Sequence, residues 1–131
     1  MMLEHSAPYV AILAILITVL AMRVSVVRAR TKILLGEGNP PNETLQRARR
    51  AHFTVMEFSV PFLIVLVAYD LVGGNGTWIM WLAIAFIVGR VLHAYGMYFL
   101  GPMNVCRASG AALSSLSTLA VAILLLVKVW G

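Results

Sequence analysis

Charge is scarce in this 131-residue chain: Asp, Glu, Lys and Arg make up 11% of it, while 61% is hydrophobic and the mean hydropathy is +0.92. Soluble domains run at about 45–50% apolar and about a quarter charged, so a soluble globular fold is excluded as the first reading, and so is disorder. Carboxylates are the scarcest charges, 5 against 10 Lys and Arg, for a net charge of +5. In so apolar a chain that surplus points to a membrane surface or to small anions, not to a nucleic-acid groove. Cysteine is limited to Cys106, which rules out an intramolecular disulfide. His5, His52 and His93 are scattered with no cysteine at ligand spacing, so no metal site is expected. The chain also lacks a glycine-rich phosphate loop, a G-x-S-x-G turn and a Ser/His/Asp order.

What is present is long apolar runs. They predict an all-α, integral membrane four-helix bundle, a single four-span domain over 1–131 with helices at about 7–30, 43–72, 77–101 and 109–130. The first run is broken only by Arg23 and can cross a hydrocarbon core of about 30 Å. Glu4 precedes it without any Lys or Arg, and no A-x-A site follows, so a span is expected and not a cleaved signal peptide. Between the first two runs, G-E-G-N-P-P forms a turn that leads to Asn42 as N-cap and Glu43 in the first helical turn. Arg23, Arg28, Arg30, Lys32, Arg47, Arg49, Arg50 and Arg107 all fall on one side of the predicted membrane. The V-G-G-N-G turn on the other side has no positive charge. By the positive-inside rule both termini are expected on the non-cytoplasmic side, with Tyr9, Tyr69, Trp78, Trp81 and Trp130 near that interface.

Ionised groups at membrane depth cost at least about 2.5 kcal/mol and by default mark functional sites. In the second helix Arg47, Arg50, Thr54 and Glu57 form one stripe at 3.6 residues per turn, and in the third Arg90 and His93 share a face. Glu57 and Arg90 lie at similar predicted depth, which allows them to pair across helices, either as a structural ion pair or within a site. His93 reads equally as a core histidine or a ligand contact. Arg47, Arg49 and Arg50 also serve topology and headgroup contact. Guanidinium groups with one carboxylate suit a small anion bearing carboxylates and an amine, and a fixed positive charge lowers the pKa of a thiol.

At these residues the chain resembles the MAPEG family, membrane-associated proteins in eicosanoid and glutathione metabolism. The resemblance rests on R-x-R-x-K before the G-E-G turn, on RRAHFTVMEFSVPF, on VGRVLHAYG and on the Arg107 to Gly110 segment. It implies a homotrimer with glutathione as co-substrate, bound near the cytoplasmic side between subunits. By motif, Arg28, Arg50, Glu57, Arg90 and His93 would hold glutathione, and Arg107 would face its sulfur as the catalytic residue. Three positions depart from the pattern. Thr54 stands where the family has asparagine, Phe53 where many members have arginine, and Met97 where a tyrosine often touches glutathione, with Tyr98 or Tyr95 as substitutes. The implied function is a glutathione transferase or peroxidase acting on lipophilic electrophiles or lipid hydroperoxides, in a bacterial inner membrane. The alternatives are a small proton-coupled multidrug exporter using Glu57 and a non-catalytic, lipid-binding trimeric scaffold of the same fold.

Overall fold

The computed structural model describes residues 2–131. Four helices follow one another: α1 (Ala7–Thr31), α2 (Glu43–Leu71), α3 (Gly76–Phe99) and α4 (Val105–Trp130). Each is long and apolar enough to cross a membrane. Because the chain reverses at every turn, the end of α1, the start of α2, the end of α3 and the start of α4 share one end of the bundle. The arginines gather there. Trp78, Trp81 and Trp130 lie exposed toward the opposite end.

Asparagine sets three of the helix starts. The Asn42 side chain accepts from the Leu45 amide at 2.9 Å, Asn75 from the Thr77 amide at 2.9 Å, and Asn104 from the Arg107 amide at 2.8 Å. Each satisfies an amide that the first helical turn leaves without a carbonyl. The Asn104 cap starts α4 at Val105, four residues before the expected 109, and α3 stops at Phe99 instead of 101. Arg107 and Ser109 interrupt the apolar residues at the start of α4, so its first turn carries only a weak hydrophobic signal.

The core away from the arginines is built from Leu13, Phe62, Leu66, Ile79, Ala83, Phe86 and Val121, with Phe62 and Phe86 stacked at 3.9 Å between centroids. Nearer the basic end, α3 and α4 pack backbone to backbone. A Cβ on Gly89 would stand 2.6 Å from Ser114 Oγ, and one on Gly110 would stand 2.5 Å from the Gly89 carbonyl oxygen. Small residues at such crossings let helices approach closely where lipid offers no hydrophobic drive. That approach brings the Arg90–His93 face of α3 against the first turns of α4.

Candidate functional site

The α3–α4 turn, Leu100 to Asn104, holds the start of α4 over the end of α3. Asn104 makes the link: its Nδ2 donates to the Gly96 carbonyl at 3.1 Å and to the Gly101 carbonyl at 2.6 Å, while its Oδ1 caps Arg107. Gly96 has no side chain because a Cβ there would stand 2.6 Å from Asn104 Oδ1. The Arg107 guanidinium donates to the Pro102 carbonyl at 2.7 Å, which folds it back over the turn.

Arg107 therefore stands between two spaces. On one side is a polar cavity of about 210 Å³, lined by Glu43, Arg47, Arg50, Met97, Pro102 and Arg107 among others. Glu43 and Arg47 form an ion pair across its rim, with part of the positive charge left unbalanced. On the other side is a more apolar groove of about 630 Å³, lined by His93, Pro102, Met103, Val105, Ala108 and Ala111 as well as Arg107. A basic pocket thus meets a space open to apolar molecules across a single guanidinium.

The structure brings Arg50 and Arg107 into one cavity and sends the other candidates elsewhere. Arg28 Nη1 donates to the Ile33 carbonyl at 3.0 Å and the Gly36 carbonyl at 3.2 Å, where it fastens the α1–α2 loop. Thr54 donates to the Arg50 carbonyl at 2.7 Å within its own helix, so its proton is already used. Glu57 points outward, exposed on the outer face of α2, outside the basic cavity. Tyr98 lines a separate cavity beyond Arg47.

The cross-helix pairing of Glu57 with Arg90 does not form. Arg90 is fully buried: its Nε donates to Ser114 Oγ at 2.7 Å, its Nη2 donates to the Gly110 carbonyl at 3.2 Å, and its plane lies 4.1 Å over the Phe58 ring. The two hydrogen bonds join α3 to α4, where the small residues Gly89, Gly110 and Ser114 leave room for the guanidinium, and the Phe58 ring covers it from α2. His93 is buried one turn on, its Nδ1 2.9 Å from the Arg107 carbonyl oxygen. Arg90 clamps α4 to α3, and His93 ties that clamp to the backbone of Arg107.

Arg47, one turn before Arg50 on the same stripe, lines the cavity with it, while Asn104 is a contributor that the motifs do not name. Asn104 carried a readable signal, an Asn three residues before Arg107 and just after Gly101-Pro102. Among the described residues no group of His, Cys, Asp and Glu is placed to hold a metal ion.

Residues 6–127 match the profile of the MAPEG family, nearly the whole chain. The chain belongs to the MAPEG family. Among curated proteins, this MAPEG member is 33% identical over 91 residues to "Inner membrane protein YecN" of Escherichia coli strain K12 and to the protein of the same name from Escherichia coli O6:H1. The match covers 67% of this chain and 69% of each relative. No solved structure matches it.

Proposed function

We infer that this protein is a membrane-embedded, glutathione-dependent transferase or peroxidase acting on lipophilic electrophiles or lipid hydroperoxides, in a bacterial inner membrane with both termini outside the cytoplasm. The observation that carries this reading is the position of Arg107, shared by the basic cavity and the apolar groove. Arg50 supplies a planar fork for a carboxylate, and Arg47, already paired with Glu43, adds positive charge beside it. A tripeptide held there would present its sulfur to Arg107, whose positive charge favours the thiolate over the thiol. In the transferase reaction the thiol proton leaves to water, the thiolate forms a carbon–sulfur bond with an electrophile in the groove, and the leaving group departs with its electron pair. The mechanism needs only positioning and charge from the protein.

Family membership and the outer face of α2 support assembly as a homotrimer. Phe53, Glu57, Val60, Pro61 and Ile64 are all exposed on that helix in the single chain. A carboxylate facing lipid is costly, and cover by another copy of the chain relieves that cost. The outward position of Glu57, away from any enclosed path through the bundle, favours this reading over a proton-coupled exporter.

The test is glutathione conjugation to a small aryl halide, and reduction of a lipid hydroperoxide, by the purified protein in detergent. The wild type turns over at least one of them and Arg107→Ala does not. Glutathione binding with no turnover on either would instead identify a scaffold that keeps the family fold.

A further inference from the structure

α1 and α3 scarcely touch, and the gap between them is floored by the start of α2. A second cavity of about 310 Å³ opens there, on the far side of Arg47 from the site described above. Its lining is Arg23 of α1, Glu43, Thr44 and Arg47 of α2, and Tyr98 and Phe99 of α3. Arg23 lies eight residues, about 12 Å at 1.5 Å per residue, before the end of α1, inside the apolar run and away from the loop arginines. Among the described residues it has no carboxylate within ion-pair distance. The Tyr98 hydroxyl sits against the Arg23 guanidinium, which leaves the remaining guanidinium protons turned to the cavity. The backbone amides of Glu43 and Thr44, in the first turn of α2, likewise find no acceptor among the described residues. Glu43 is held by Arg47, so the cavity keeps one unbalanced positive charge. On its outer side Met22 and Val26 of α1 and Phe99 of α3 are exposed, a wall for hydrocarbon next to a polar pocket.

We propose that this cavity is a specific site for one anionic glycerophospholipid, its phosphate received by Arg23, Arg47 and the first-turn amides of α2, and its acyl chains lying along the apolar faces of α1 and α3. The cavity holds phosphate-type donors in a cluster drawn from three helices, at the depth where a headgroup meets its chains. It offers no uncommitted carboxylate to receive a headgroup amine, so it selects an anionic over a zwitterionic lipid. The two sites share Arg47 and Glu43, while Arg23, Tyr98 and Phe99 belong to this one and not to the basic cavity.

Native mass spectrometry of the detergent-purified protein, exchanged against phosphatidylglycerol, phosphatidylcholine or inorganic phosphate, tests it. The wild type retains one phosphatidylglycerol per chain in roughly fivefold preference over phosphatidylcholine, and millimolar phosphate does not displace it. Arg23→Gln loses that preference, Arg23→Lys keeps most of it, and Arg30→Gln, an exposed arginine on the same helix outside the cavity, leaves it unchanged. Equal loss in Arg30→Gln reduces the effect to bulk charge and overturns the site. Displacement by inorganic phosphate makes it a free-anion site and overturns the lipid assignment. Should Arg23→Gln fail to fold, the wild type alone decides, because equal retention of both lipids contradicts the proposal.

Discussion

Arg107 has its backbone fixed at two points and its side chain at one. Its amide is capped by Asn104, its carbonyl oxygen lies 2.9 Å from His93 Nδ1, and its guanidinium is drawn onto Pro102. Such a preplaced charge acts on the transition state more than on ground-state binding. Arg107→Ala is therefore expected to lower kcat by roughly 100-fold or more with little change in the glutathione Kd, checked by steady-state kinetics beside calorimetric binding. Arg50→Ala should show the opposite pattern, raising the Kd about tenfold through the loss of a charge-assisted contact, about 1.5 kcal/mol. Arg90 separates the two ways of reading a buried arginine. From sequence, Arg90 reads either as half of a structural ion pair with Glu57 or as a ligand contact; in the fold it hydrogen-bonds to Ser114 and the Gly110 carbonyl. Arg90→Met should leave glutathione affinity within about twofold and show its effect in thermal stability instead. Loss of binding in that variant would place Arg90 in the ligand site after all.

Helix starts and helix crossings fix where those side chains stand. Asn42 was legible as a cap because the turn before it, G-E-G-N-P-P, stops one element visibly and the apolar run of α2 begins soon after. Asn104 follows Gly101-Pro102 much as Asn42 follows its own turn, but Arg107 and Ser109 interrupt the apolar residues behind it, so the start of α4 reads four residues late. The partners of Arg90 were hidden for a related reason. Helical spacing places Arg90 and His93 on one face of α3, but which helix that face meets depends on Gly89 and Gly110 admitting a close crossing, a property of pairs that one chain's periodicity does not display. Removing the cap by Asn104→Ala is expected to lower stability by about 1 kcal/mol and to reduce turnover, because Arg107 loses its anchor. Gly110→Leu would drive a side chain into the backbone of Gly89 and His93, and is expected to lower the melting temperature in detergent well beyond the Asn104→Ala effect.

The whole bundle separates its charges by role. Arg28 and the Glu37–Arg49 pair, at 2.9 Å, secure the α1–α2 loop, Arg90 secures the α3–α4 crossing, and Arg47, Arg50 and Arg107 surround a cavity. What this arrangement leaves open is the outer face of α2 with Glu57. Single-cysteine chains carrying Val60→Cys on a Cys106→Ser background should cross-link between copies under mild oxidation, with light scattering giving three chains per particle. A face turned to lipid would give neither. The number of the helices was legible because apolar length is a property of the sequence itself, whereas the meeting of a polar cavity and an apolar groove at Arg107 arises only once four helices are packed. That meeting point is the centre of the account, and ultraviolet difference absorbance of the thiolate on mixing glutathione with the purified protein at neutral pH tests it most directly. The wild type should develop thiolate absorbance with release of a proton while Arg107→Ala binds glutathione without it. An equal signal from both, or none from a wild type that binds glutathione, would contradict it.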